Sequence, residues 1–225
     1  MTGPGRAIVD LTRERPVIAC TWYAVLLVFV ANFATAHDDR VWVYLTFVAV
    51  LTGVLAVADR AVGFSDRTLW LLLAAGTAHL CGGLLPTLDG GGVLYDQWIV
   101  SGLLRTDQAV HAFGSAVAAI AMWEVLGTFV DHTRMKVTSQ AMLAVLGALG
   151  KGALNEVLEF VMAMSFADNI VGGYSNTGWD LVFNMFGAAA AAAFLLAFGA
   201  RRAPLPRVVR RRSSPAVAVP ELAQR

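Results

Sequence analysis

Six stretches of this sequence stay apolar for about 17 to 25 residues, the length a helix needs to cross the hydrocarbon core of a bilayer. They run from Val17 to Thr35, Val41 to Ala58, Leu69 to Leu85, Ala109 to Val130, Ala141 to Met164 and Trp179 to Phe198. The expected fold is all-α, a polytopic bundle of six transmembrane helices. Composition agrees, with 57% apolar and 15% charged residues, where soluble domains carry roughly 25% charged. The first run lacks a small-residue cleavage site and is too long for a signal-peptide core, so it reads as a retained helix. Cys20 and Cys81 supply neither a disulfide framework nor a paired-cysteine metal motif.

Orientation follows from the cations, because Lys and Arg collect in cytoplasmic loops. Arg6, Arg13 and Arg15 precede the first run, Arg60 and Arg67 follow the second, and Arg134 and Lys136 follow the fourth. Arg201, Arg202, Arg207, Arg210, Arg211, Arg212 and Arg225 follow the sixth, against only Arg40 and Arg105 on the other side. Both termini are therefore expected in the cytoplasm, with the chain a multi-pass protein of the plasma or inner membrane. Residues 1–16 read as a cytoplasmic tail, 17–198 as the transmembrane domain and 199–225 as a basic, disordered tail. The tail arginines suit anionic lipid, at about 1 kcal/mol each near the surface, and nucleic acid is not expected. On the outside, Pro86 to Gln108 is the longest connection; its stretch from Tyr95 to Leu104 is too short to span and suits the interface.

Polar residues inside the runs need compensation. "KGALNEVLEFVMAM", residues 151–164, places Lys151, Asn155, Glu156 and Glu159 in the fifth run, where a charge near the bilayer centre costs about 2.5 to 3.5 kcal/mol even on insertion scales. A rise of about 1.5 Å per residue puts Lys151 near the midplane and Asn155, Glu156 and Glu159 progressively further out. Asp180 and Asn184 in the sixth run fall at the same outer depth. Asp107 sits at the outer interface with His111 one turn below, and His79 lies slightly outside the midplane. Asp107 with His111, Asp180 with Asn184, and Lys151 with Asn155 and Glu159 stand at helical spacing on shared faces. His111, Glu156, Glu159 and Asp180 are the candidate catalytic set, supported by Asp107, Asn155, Asn184 and Lys151, in a pocket open to the outside.

"DQAVH", "NEVLEF" and "NTGWDLVFNMFGA" resemble the YjdF-like family of small bacterial inner-membrane proteins, itself similar to the VanZ-like family. The VanZ-like pattern is an Asp and His four apart, then a Glu, then an Asp and Asn four apart before a Gly. The resemblance covers about Asp107 to Ala188 and implies a polytopic helical fold, with Asp107, His111, Glu156, Glu159, Asp180 and Asn184 at the motif positions. A Gln and Arg that follow the glutamate in VanZ-like chains are missing here.

Blander readings accompany each group. Asp107 with Thr106, and Asp180 with Asn176 and Thr177, suit helix caps. Glu156 and Glu159 suit a salt bridge with Lys151, and Glu124 beside Trp123 suits a local contact. His37, Asp38 and Asp39 suit a solvated loop, and His132 has no assigned role. Gly187 to Phe194, Gly114 to Ala121 and Gly147, Gly150 and Gly152 suit close helix packing. Two main function classes follow. The pocket is an enzyme-like or metal site, with His111, Glu159, Asp180 and His79 as ligands to Zn, Mn or Fe, acting on a small or lipid-linked substrate of the envelope. Alternatively the same groups relay protons or ions in a small transporter. A structural or assembly protein is the third reading.

The orientation has a direct test. A reporter fused after Arg212 should behave as a cytoplasmic tag, and activity on the far side of the membrane would move the polar pocket to the opposite face.

Overall fold

The computed structural model describes residues 3–33, 40–130, 135–165 and 173–199. Helix α1 covers Pro4–Glu14, α2 Pro16–Phe33, α3 Arg40–Val62, α4 Asp66–Leu84, α5 Thr106–Phe129, α6 Val137–Ser165 and α7 Tyr174–Phe194, which continues into a π-helical turn, Leu195–Gly199. The apolar runs fall on α2 to α7 in order. Among the described residues, four segments are long and apolar enough to cross a membrane: Leu45–Val62, Thr106–Phe129, Val137–Val161 and Tyr174–Phe198. A fifth is counted if α1 and α2, bent by 116° at their junction, form one broken span. Helix α4 opens on Asp66 and Arg67 and carries Thr68, Thr77, His79 and three glycines, which dilutes its apolar content. The expectations for His37, Asp38, Asp39, His132 and the tail beyond Gly199 lie outside the described residues.

The N-terminal segment, read from the sequence as a tail, is helical, and Pro16 explains why it stops. A residue before proline is pushed out of the helical region; Arg15 accordingly takes φ −136°, ψ 64°. Proline then starts α2, where its missing N–H costs nothing. The Arg15 side chain is 5% exposed and holds the corner. Its Nη1 donates to Asp59 Oδ2 at 2.9 Å, its Nε to Asp66 Oδ1 at 2.7 Å and its Nη2 to the Phe64 carbonyl at 2.7 Å. Asp59 Oδ1 takes the Phe64 N–H at 2.9 Å. The turn needs Gly63, whose φ of 69° is left-handed. Glu124 of α5 completes this end. It accepts from the Ser65 N–H at 2.8 Å and from the hydroxyls of Ser65 and Thr68, each at 2.7 Å, so a carboxylate meets the positive end of α4.

Helix α5 is the hub, packing against α4, α6 and α7. Small residues let the last three helices close up: Ala119, Ala148, Ala188 and Ala191 form one buried cluster, and Trp123, Ala141, Ala144 and Ala192 another. A Cβ on Gly187 would overlap the Ala112 carbonyl oxygen, and one on Gly152 would lie 2.8 Å from Asn184 Nδ2. Between α4 and α5 the chain forms a short 3-10 turn, Leu94–Asp96, then strands β1 (Trp98–Val100) and β2 (Leu104–Arg105), paired antiparallel. The Arg105 guanidinium stacks 4.7 Å above the Trp98 ring.

Arg15→Met should destabilise the protein by about 3 to 5 kcal/mol in detergent unfolding, because it strands the buried Asp59 carboxylate. Adding Asp59→Leu should recover much of that loss. Equal damage from the double and single variants would refute the clamp.

Candidate functional site

Three helices carry polar residues at one-turn intervals. Helix α5 supplies Asp107, His111 and Ser115, α7 supplies Asn176, Asp180 and Asn184, and α6 supplies Asn155, Glu156 and Glu159. Residues four apart stack on one helix face, so each helix lines the shared interior with a polar stripe. His111 lies at the centre. Its Nε2 is 3.3 Å from Asp107 Oδ1 and 3.9 Å from Glu159 Oε1, and its Nδ1 is 3.5 Å from Glu156 Oε1. Asn176 Nδ2 bridges two helices, donating to Asp180 Oδ2 at 2.6 Å and to Asp107 Oδ2 at 3.1 Å. Asn155 Nδ2 donates to Glu159 Oε1 at 2.7 Å, and the Ser115 hydroxyl donates to Asn184 Oδ1 at 2.6 Å.

His111, Glu156, Glu159 and Asp180 each offer one ligand atom, and these atoms lie within 4.8 Å of one another. Asp107 and Asn155 sit beside them through the contacts above, and Asn184 lies at the end nearer the buried alanines. His79 stands apart from the four: on α4, its ring Nδ1 is hydrogen-bonded to the Tyr95 hydroxyl. Lys151 also stands apart. Among the described residues no ion pair joins it to Glu156 or Glu159, and Glu159 turns to Asn155 and His111 instead. The capping readings of the two aspartates part company. Helix α7 begins at Tyr174 after Gly173, leaving Asp180 beyond the first turn, whereas Asp107 does lie in the first turn of α5, its carboxylate also meeting His111 and Asn176. Glu124, read as a local contact, holds the start of α4, far along α5 from His111.

Several polar atoms here are buried with no hydrogen-bond partner among the described residues: His111 Nε2, both Glu156 oxygens, Asp180 Oδ1 and Asn184 Nδ2. The 3.3 Å approach of His111 to Asp107 is thus an ion-pair contact without hydrogen-bond geometry. Leaving a buried polar atom unmet costs about 1 to 3 kcal/mol, so five together call for another species. The donor set fits a divalent cation. One imidazole nitrogen and three carboxylates are the ligand types of Zn, Mn and Fe sites. Ligands about 2.0 to 2.2 Å from a tetrahedral ion lie roughly 3.3 to 3.6 Å apart, so the four would draw in by about 1 Å on binding one.

Two contributors were not singled out from the sequence as site residues. Asn176, read only as a capping partner, ties Asp107 to Asp180; its signal was its place one turn before Asp180. Ser115, one turn after His111, fixes the Asn184 amide, and nothing but that spacing marked it.

No curated protein and no solved structure matches this chain. A family model described as "Predicted membrane protein (DUF2238)" matches residues 17–201, and the YjdF-like resemblance is consistent with it. With most of its length matched, and the polar cluster inside the matched region, the chain belongs to the predicted membrane protein family DUF2238.

Proposed function

We propose that this is a six-span protein of the cell membrane with both ends cytoplasmic, whose outer-half cluster holds a divalent metal and acts on an envelope or lipid-linked substrate. The observation that carries the reading is the meeting of His111, Glu156, Glu159 and Asp180 within 4.8 Å on three helices, with unmet buried oxygens and nitrogens among them. Their Asp–His and Asp–Asn spacings are those of the VanZ-like pattern, and we take that wider kinship as part of the proposal. A bound Zn, Mn or Fe ion would polarise a substrate oxygen or activate a water. The chain's own groups do the rest. Asn176 fixes the Asp107 and Asp180 carboxylates, Asp107 orients the His111 ring, and Glu159, held by Asn155, is placed to take or give a proton.

The packing favours this reading over a proton or ion relay. Below Ser115 and Asn184 the helices close on Ala119, Ala148, Ala188 and Ala191. The polar groups resume only at Gln140, whose amide donates to the Trp123 carbonyl at 3.2 Å, and at Glu124. A blind pocket suits a reaction or a binding event at one face, whereas a relay needs polar groups that continue through this layer.

Metal analysis of the detergent-purified protein tests the reading. Wild type should carry Zn, Mn or Fe, and His111→Ala and Asp180→Asn should lose it while remaining folded. Asn176→Ala, which removes an outer partner, should weaken metal affinity about 10- to 100-fold. Glu159→Gln should fold nearly normally and lose activity on its substrate. Failure of wild type to take up any of the three metals on reconstitution would sink the metal centre.

A further inference from the structure

The connection between α4 and α5 has two lobes of different character. Residues 86–92, "PTLDGGG", make a tight turn in which the Thr87 N–H donates to the Gly92 carbonyl at 2.9 Å and the Thr87 hydroxyl accepts from the Gly92 N–H at 3.1 Å. Residues 98–104, "WIVSGLL", carry no charge and form the β1–β2 hairpin. Its tip is closed by the Leu103 N–H on the Val100 carbonyl at 3.0 Å, with Gly102 at the left-handed φ of 71°. Ile99 is 55% exposed, Val100 47% and Leu103 72%.

The register leaves both faces of this ribbon open. Cross-strand partners share a face, and neighbours along a strand take opposite ones. Trp98 pairs with Arg105 and Val100 with Leu104, so Trp98 lies on one face and Val100 on the other, and both are exposed. A protein docked on one face would leave the apolar residues of the other in water. A lone two-stranded hairpin is at best marginally stable in water, and this one turns apolar side chains outward on each side. Lipid, which wets both faces at once, suits it.

Position puts lipid within reach. Thr106 opens α5 directly after β2, with no linker between the ribbon and a helix long and apolar enough to span. The Thr106 N–H and hydroxyl both donate to the Gln97 carbonyl, at 2.9 and 3.1 Å, which fastens the base of the ribbon to that helix. The backbone limits how deep it can go. A two-stranded ribbon has unpaired N–H and C=O groups along its outer edges, and hydrocarbon cannot satisfy them. Arg105 stacked on Trp98 joins two side chains that favour the headgroup level. We infer that the β1–β2 hairpin is a membrane-surface anchor whose apolar tip, Ile99 to Leu103, is embedded at the boundary between headgroups and acyl chains. The anchor requires only that α5 crosses the bilayer, and it stands or falls independently of the metal. Through Thr106 it fixes the level in the bilayer of Asp107, and with it the cluster around His111.

Two measurements on the full-length protein in phosphatidylcholine nanodiscs test the anchor. In the first, Leu103→p-benzoylphenylalanine is irradiated in the otherwise native chain and its adducts are identified by mass spectrometry. Adducts to phosphatidylcholine are expected; adducts only to another protein chain, or no lipid adduct, overturn the anchor. In the second, Leu103→Cys and Asp89→Cys, each in a Cys20→Ser, Cys81→Ser background, carry a polarity-sensitive fluorophore. The label at Leu103 should emit at shorter wavelength, be quenched by lipids bearing a nitroxide near the glycerol, and be several-fold less quenched by aqueous iodide than the label at Asp89, on the glycine turn. Equal iodide quenching at the two positions places the tip in water and overturns the anchor. A label at Leu103 shielded from iodide and nitroxide lipid alike means that protein covers the tip, and overturns it too. Should the cysteine-depleted background fail to fold, the crosslinking result decides by itself.

Discussion

The contact of Gly187 with the Ala112 carbonyl sets the geometry of the half of this protein that holds His111. No Cβ fits between them, so α5 and α7 run at backbone distance, and Asn176 can reach Asp107 across the gap. The same close approach brings Ser115 to Asn184. Lipid gives helices no hydrophobic reason to associate, so packing of small residues and interhelical hydrogen bonds must hold them together. Here the two act on the same pair of helices.

Polar groups gather at both ends of the bundle and are built differently. At the α3–α4 turn, Arg15, Asp59, Glu124 and the capping hydroxyls of α4 satisfy one another through short bonds. In the cluster around His111, acceptors outnumber donors and several atoms stay unmet. The first arrangement is closed and structural, whereas the second has capacity to spare for a ligand. A layer of alanines separates the two.

Much of this was readable from the chain. Length and hydrophobicity located helices α2 to α7, because in a bilayer the apolar run and the helix are nearly the same object. Helical rise and spacing brought His111, Glu156, Glu159 and Asp180 to one depth and onto inward faces, since four residues on three helices have few other ways to avoid lipid. Partner choice was harder to read. Lys151 and Glu159 share a face at two turns' separation, but the glutamate found Asn155 and His111, and the lysine leaned over Gly114 instead. His79 lies on α4, on another flank of α5, and periodicity within one helix carries no information about which neighbours flank it. The N-terminal helix escaped notice for a similar reason. Its apolar face is short, and its partners lie far downstream.

Those distant partners matter for how the protein is made. Arg15 reaches Asp59 and Asp66, separated from it by 44 and 51 positions, and the chain between Arg15 and Asp66 contains all of α2 and α3. As the chain leaves the ribosome, the first helix and its arginine therefore emerge well before anything exists to receive them. The corner closes only once the α3–α4 turn has been delivered to the same side of the membrane. Closing that long loop joins the beginning of the chain to its first two hairpin partners in one step, making the arginine a late latch on early membrane insertion.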